Sequence, residues 1–311
     1  VYTACWMRKL GYSPIILYSN QDAQTSFGRP GKQTFAQQLL LGDYIKSAAT
    51  IPDSIWVNLD EEPKPTSDDI FKYNNFAEDY AHTMAAYDLR LEEHEEGDHK
   101  GEYMQEVVKD KNILAEYGAM MEHVLRRLEK QYGVKRLIAY SGLIGVTSAV
   151  REAASRCDWN VAFCEGWAIK PGHMIVSHNT PALNFDIVKW LKALGQWDEG
   201  RINDIERFLA FQETCDLEKG TDWLKSYHRF QRSSASKDLS TELKTFLEED
   251  GPLFLLAPNC VGDSATLRVQ TIFKSQREWV NEICRYFQAH PQMRLIIRAH
   301  PDELMYYQWN K

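Results

Sequence analysis

Two segments of the chain each follow the order strand, polar loop, amphipathic helix, strand. The first runs from "KRLIAY" through "SGLIGVTSAVREAASR" to "WNVAFCE" at residues 135–165. The second runs from "PLFLLAP" at residues 252–258, through a helix that opens at Ser275, to "RLIIRA" at residues 294–299. Strands joined through a helix pair in parallel. The pattern therefore predicts an α/β protein with parallel sheets.

Chain length predicts two domains, because 311 residues exceed the roughly 250 at which a single core stops growing. We expect an N-terminal Rossmann-like lobe with helical insertions over residues 1–235 and a C-terminal lobe over residues 236–311. The polar stretch "QRSSASKD" at 231–238 is typical of the linker between them. The chain begins with Val1 and stops inside a helical pattern. We expect a partial C-terminal lobe, and whether the chain is a piece of a longer protein stays open.

Composition indicates which kinds of partner and which cellular compartment to expect for this protein. A formal net charge of -8 argues against nucleic acid as the main partner. The six cysteines are scattered, which is typical of free thiols in a reducing compartment. No run reaches the ~18 to 20 apolar residues that span a bilayer, and no signal peptide is visible. We expect a cytoplasmic protein, with peripheral association at the inner face of the membrane left open.

Polar residues follow the predicted strands at the edge where open α/β sheets bind ligands. Ser141 and Gly142 come after the first strand of the first segment, and Glu165 ends its second strand. An acid between apolar neighbours has a raised pKa and suits a general base. The plainer alternatives are that the glycine serves the turn and that Glu165 is a surface acid leaving the sheet.

Further candidates follow "MIVSH" and "RLIIRA". His178, Asn179 and Asp186 come at or after the former, where a hydrogen-bonded structural histidine is the alternative. His300 and Arg298 could stabilise negative charge on a departing phosphate. They share one face if the strand extends to His300.

The same residues carry a resemblance to a known family. "FLLAPNCVGDSATLRVQTIFKSQREWVNEICRYFQAHPQMRLIIRAHPDE" at 254–303 resembles the donor-lobe signature of capsule polysaccharide biosynthesis glycosyltransferases, which closes in R-x-H-P-x-E. "FCEGWAIKPGHMIVSHNTPALNFD" at 163–186 is similar to their acceptor-lobe pattern. The resemblance implies a GT-B fold of two Rossmann-like lobes, with the donor in the C-terminal lobe and the acceptor in the N-terminal lobe.

The resemblance also implies roles for individual residues. The His300-Pro301 pair is similar to the H-P motif with which Kdo- and sialyltransferases contact the donor phosphate. The expected catalytic residues are Glu165 and His300. The expected donor-binding residues are Asn259, Asp263, Ser264, Arg298, Pro301 and Glu303. The expected acceptor-binding residues are Ser141, Gly142, His178, Asn179 and Asp186.

The implied reaction moves a sugar from a nucleotide-activated donor, with CMP-linked sugars among the candidates, to a glycan or glycolipid. No cofactor and no metal are expected, because the sequence has no D-x-D motif. Inverting and retaining chemistry both stay open. Two other functions stay open as well: a non-catalytic carbohydrate- or nucleotide-binding module, and a CDP-alcohol phosphotransferase. Dinucleotide, P-loop and lipase motifs are absent from the sequence.

Overall fold

The computed structural model describes residues 7–18, 53–89, 91, 98–143, 145–166, 174–182, 203, 240–263, 266–268 and 272–300. Over these ranges the chain is a mixed α/β protein. The strands are β1 (Ile15–Tyr18), β2 (Ile55–Asn58), β3 (Arg136–Tyr140), β4 (Asn160–Gly166), β5 (Met174–His178), β6 (Leu253–Leu256) and β7 (Arg294–Ile297). The helices are α1 (Ser67–Phe71), α2 (Asn74–Leu89), α3 (Lys100–Tyr132), α4 (Val146–Arg156), α5 (Thr241–Glu248) and α6 (Gln276–Ala289). A short 3-10 helix, Leu59–Glu61, follows β2.

The described strands form three small sheets: a β1–β2 pair, a three-stranded β3–β4–β5 sheet and a β6–β7 pair. β3 and β4 are parallel, as are β6 and β7, whereas β5 is antiparallel to β4. The two predicted units are therefore present as β3–α4–β4, the first crossover unit, and β6–α6–β7, the second crossover unit. Within the described ranges, the strands do not join into two continuous parallel sheets.

The core lies where α2, α3 and α4 pack together. The sequence predicts a long helix over residues 103–130, and α3 confirms it by running from Lys100 to Tyr132. Its buried residues recur at steps of three or four, as expected for a helix with one face inward. They include Tyr103, Val107, Asp110, Leu114, Gly118, Met121, Leu125 and Leu128. Asp110 is the one charged side chain in this otherwise apolar or small series.

The second crossover unit is much less covered than the first. Leu253, Phe254 and Leu255 of β6 are 40%, 46% and 67% exposed. The predicted N-terminal cap of α6 is present in part: Ser275 Oγ accepts a hydrogen bond from the backbone N–H of Glu278 at 3.0 Å. The Glu278 carboxylate accepts from the backbone N–H of Lys274 at 2.6 Å instead of returning to Ser275.

The region after β6 contacts the N-terminal helices. Leu267 is 4% exposed and belongs to the same buried cluster as α2, α3 and α4. The predicted linker at 231–238 lies outside the described residues, so the division at residue 235 stays a prediction.

None of the described helices combines the length and the apolar character needed to cross a bilayer. α3 is long enough at 33 residues, yet its outer face carries many charged side chains.

Candidate functional site

The tip of the first crossover unit is a tight turn directly beside β4. Parallel pairing places Tyr140 next to Cys164, and the backbone N–H of Ser141 donates to the Cys164 carbonyl at 3.0 Å. Gly142 has a φ of 79°, and a Cβ on it would lie 2.6 Å from the ring of Phe163. Glycine is therefore required here both for the backbone conformation and for space. The turn brings Ser141 close to the next residue of β4, Glu165.

Glu165 is the half-buried acid at this tip. Its Oε1 accepts from the Tyr140 hydroxyl at 3.5 Å, while its Oε2 is buried without a hydrogen-bond partner. Burial raises the pKa of Glu165 and the charge of Asp263 adds to the effect, whereas the hydroxyls of Tyr140 and Ser141 lower it. The net shift is upward. A carboxylate with an unoccupied oxygen and a raised pKa is suited to accept a proton.

Ser141 lies at the centre of this arrangement. It is fully buried, has a φ of 53°, and its Oγ has no partner of ordinary hydrogen-bond geometry. The hydroxyl is nevertheless close enough to the Glu165 carboxylate to lower its pKa. The backbone carbonyl of Ser141 accepts from the N–H of Ala182 at 2.8 Å. Backbone hydrogen bonds to Cys164 and Ala182 therefore hold the turn. The Oγ of Ser141 is the polar atom of the turn that has no partner of ordinary geometry.

Tyr140 is a site residue that our reading of the sequence missed. It is 48% exposed, and burial of its hydroxyl together with the charge of Glu165 raises its pKa to about 12. The phenol therefore stays protonated at neutral pH and can donate a hydrogen bond to Glu165. The parallel register of β3 and β4 could have identified it, since residues at neighbouring strand tips are side by side.

Asp263 comes from the other crossover unit, in the loop after β6. Its backbone carbonyl accepts from the N–H of Thr266 at 2.9 Å and from the Thr266 hydroxyl at 2.8 Å. Its carboxylate is close enough to Glu165 to raise the pKa of that acid. The loop of the second unit therefore reaches the tip of the first unit. The charge of Asp263 therefore adds to burial in raising the pKa of Glu165.

Arg268 anchors this loop on α2. Its guanidinium donates to Asp79 Oδ2 at 2.7 Å and lies 4.0 Å from the centre of the Tyr80 ring. A further contact reaches the Thr83 hydroxyl at 3.4 Å. Arg268 and Asp79 are 189 positions apart, so no local sequence signal could have paired them.

A small hollow lies at the tip of the second crossover unit. Its volume is about 200 Å³, and its lining residues are Ala257, Pro258, Asn259, Arg298, Ala299 and His300. Because β6 and β7 are parallel, their tips run side by side, and the Arg298 N–H donates to the Leu256 carbonyl at 2.8 Å. The structure thus brings together two of the predicted donor-binding residues, Asn259 and Arg298, with the predicted catalytic residue His300.

The reason that we gave for pairing Arg298 with His300 needs correction. A shared strand face required the strand to extend to His300, and this condition is not met, because β7 ends at Ile297, before either residue. Both nevertheless line the hollow. The Asn259 Oδ1 accepts from the backbone N–H of Cys260 at 2.8 Å, so that part of its side chain is already engaged. Glu165 does not belong to the lining of this hollow.

His178 and Asn179 lie beside the start of β4, at the opposite end of that strand from Glu165. β5 is antiparallel to β4 and pairs His178 with Ala162, so its end is remote from the Glu165 end of β4. Asn179 has a φ of 57° and exchanges two hydrogen bonds of 2.8 Å with the backbone of Val161. The structure therefore does not bring these two predicted acceptor residues to Glu165. The other predicted site residues, Ser264, Pro301, Glu303 and Asp186, lie outside the described residues.

Comparisons with models of protein families, with characterised proteins and with solved structures found no match to this chain. The resemblance to capsule polysaccharide glycosyltransferases therefore stays a prediction that rests on the motifs alone.

Proposed function

We propose that the protein is a glycosyltransferase that moves a sugar from a nucleotide-activated donor to a hydroxyl of a glycan or glycolipid. The observation that carries the proposal is the half-buried carboxylate of Glu165 at the tip of β4, whose Oε2 makes no hydrogen bond and whose pKa is raised, first of all by burial. In this proposal the two crossover units belong to two lobes of GT-B type. The acceptor binds at the first unit and the donor at the second.

Glu165 would act as the base. The acceptor oxygen forms a bond to the anomeric carbon of the sugar, and its proton passes to the free Oε2 of Glu165. The bond from the anomeric carbon to the phosphate oxygen breaks, and its electron pair leaves with the nucleotide. The raised pKa of Glu165 makes it a stronger base than an ordinary carboxylate. Asp263 contributes by maintaining that shift.

Arg298 and His300 would receive the negative charge of the leaving phosphate. Both line the hollow at the β6 and β7 tips, where a guanidinium and an imidazole can donate hydrogen bonds to phosphate oxygens. Because the guanidinium supplies positive charge and the imidazole a further hydrogen-bond donor, we propose transfer without a metal. Activity that survives removal of divalent ions by EDTA would agree with this part of the proposal. A glycolipid acceptor would place the protein at the inner face of the membrane.

The experiment begins with a panel of CMP-, UDP- and GDP-sugars tested for protection against thermal unfolding, because specific binding stabilises the folded state. The donor that protects is then incubated with candidate glycan acceptors, and released nucleotide is measured. Glu165→Gln should lower transfer about 100-fold or more, since a general base contributes about that factor. Glu116→Gln, an exposed glutamate on α3, is the matched control and should retain full activity.

The outcomes separate the proposal from its alternatives. Transfer by Glu165→Gln within about threefold of the parent would remove Glu165 as a general base. Binding of a nucleotide sugar without turnover would indicate a non-catalytic binding module. Phosphorus in the acceptor product would indicate a CDP-alcohol phosphotransferase. In His300→Ala, unchanged donor affinity and rate would exclude His300 from the site.

A further inference from the structure

Asp110 occupies a buried position of α3 at which the helical pattern predicts an apolar residue. It belongs to the buried series of α3 and is 1% exposed, and its Oδ2 is buried without a hydrogen-bond partner. A buried carboxylate without a partner is costly, because desolvation disfavours its charge. Such a residue needs a specific reason to be there.

Two further carboxylates lie beside it. Glu106 is one helical turn earlier on α3, and Asp88 lies in the last turn of α2. One carboxylate oxygen from each of Asp88, Glu106 and Asp110 lies within 4.8 Å of the other two. Since α2 and α3 pack against each other, the three acids come from both sides of one helix–helix contact.

The electrostatics of this group are unfavourable to its carboxylates. Their charges repel one another, because one oxygen from each lies within 4.8 Å of the other two. Among the described residues, Lys109 pairs with Glu106 and leaves Asp110 Oδ2 without a hydrogen bond. The last turn of α2 also presents the negative end of a helix dipole to Asp88. Each of these features favours a positive charge among the three oxygens.

We propose that Asp88, Glu106 and Asp110 bind a hard divalent cation that links the end of α2 to the start of α3. Calcium bonds to oxygen at about 2.3 to 2.6 Å, so two oxygens on one ion can be up to about 5.2 Å apart. Three oxygens within 4.8 Å of one another leave a central ion at most about 2.8 Å from each, so a movement of a few tenths of an ångström at most gives calcium its bond lengths. Magnesium, with bonds of about 2.0 to 2.1 Å, needs the oxygens to close to about 4.2 Å or less.

The site is independent of the proposed sugar transfer, because its residues are not those assigned to the donor or the acceptor. Its role is to stabilise the α2–α3 pair on which the core is built. The ion completes a group of carboxylates that the protein alone leaves partly unsatisfied at Asp110.

Direct binding tests the proposal. The full chain is freed of metal with EDTA and dialysed, and Mn²⁺ is titrated in while its free electron-paramagnetic-resonance signal is followed. Ca²⁺ is then used as a competitor, with K⁺ at matched ionic strength as the control. We expect one saturable site, displacement by Ca²⁺, and a rise of about 2 °C or more in the unfolding midpoint at tenfold excess over Kd.

Variants assign the site. Asp110→Asn should abolish the saturable binding and the thermal shift, whereas Glu116→Gln, on an exposed part of α3, should preserve both. Glu106→Gln should weaken binding at least tenfold, and it serves in place of Asp110→Asn if that variant does not fold. Absence of saturable Mn²⁺ or Ca²⁺ binding to the parent would overturn the proposal, and so would binding that survives these substitutions unchanged.

Discussion

The two crossover units share one sequence pattern but differ in how the rest of the protein covers them. In the first unit, Phe163 of β4 is fully buried and α4 packs against α3. In the second unit, Phe254 of β6 is 46% exposed and α6 has no fully buried residue. Local periodicity therefore specifies a strand–helix–strand unit, whereas its burial depends on elements elsewhere in the chain.

The difference has a consequence for the candidate site. The covered unit provides a fixed tip, where Gly142, Ser141 and Glu165 are held by backbone hydrogen bonds and by the Phe163 ring. The less covered unit provides an open hollow with Arg298 and His300 at its rim. The first unit therefore ends in a fixed turn, and the second ends in a hollow lined by Arg298 and His300.

The largest expected effect comes from truncating one strand phenylalanine in each unit, Phe163 of β4 and Phe254 of β6. Phe163→Ala should lower the free energy of unfolding by about 3 to 5 kcal/mol, because a fully buried ring is lost. Phe254→Ala should cost less than about 1.5 kcal/mol, since nearly half of that ring already faces solvent. Urea denaturation of both variants measures the comparison. Equal losses would mean that β6 is as well buried as β4.

The next effect tests the fixed turn of the first unit. Gly142→Ala should cost about 2 to 4 kcal/mol, because the methyl group both overpacks against Phe163 and occupies a positive φ. Gly133→Ala is the matched control, with a φ of 67° and open space around its Cβ. It should cost only about 1 kcal/mol from the backbone alone. Equal denaturation midpoints for the two variants would show that a methyl group at position 142 does not clash with the Phe163 ring.

A smaller effect tests the anchor between the loop after β6 and α2. Arg268→Ala should cost about 1 to 2 kcal/mol, because it removes the charge-assisted hydrogen bond to Asp79 and the contact with the Tyr80 ring. Arg285→Ala, which loses an exposed pair on α6, should change stability by less than about 0.5 kcal/mol. Chemical denaturation checks both values. If Arg268→Ala were as mild as Arg285→Ala, the loop after β6 would not depend on this anchor.

Much of the local structure could be predicted from the sequence. The alternation of strands and helices, the α3 helix and the Ser275 cap all depend on nearby residues. The antiparallel direction of β5 could not be predicted, because "MIVSH" has the same apolar character in either direction. The error about His178 and Asn179 followed from that, since both were expected at the Glu165 edge of the sheet.

The contacts that join the two crossover units could not be predicted either. Arg268 of the loop after β6 binds Asp79 of α2, outside the first unit, and the charge of Asp263 acts on Glu165. All four are ordinary charged residues, and the members of each pair are separated by long stretches of chain. Nothing in the composition around them distinguishes them from solvated surface charges. Tyr140 could have been predicted to lie near Glu165, because the parallel pairing of β3 and β4 places the ends of the two strands side by side.

The most direct test of the account measures the ionisation of Glu165 by carbon-detected NMR in the parent and in Asp263→Asn. In the parent the pKa of Glu165 is raised, so its carboxyl binds a proton more readily when folded, and the associated stability is lost as the pH rises through that pKa. In Asp263→Asn we expect the Glu165 pKa to fall toward its ordinary value. The free energy of unfolding should then decrease less, as the pH rises to neutral, than it does in the parent. An identical Glu165 pKa in the two proteins would contradict the meeting of the two units at this site.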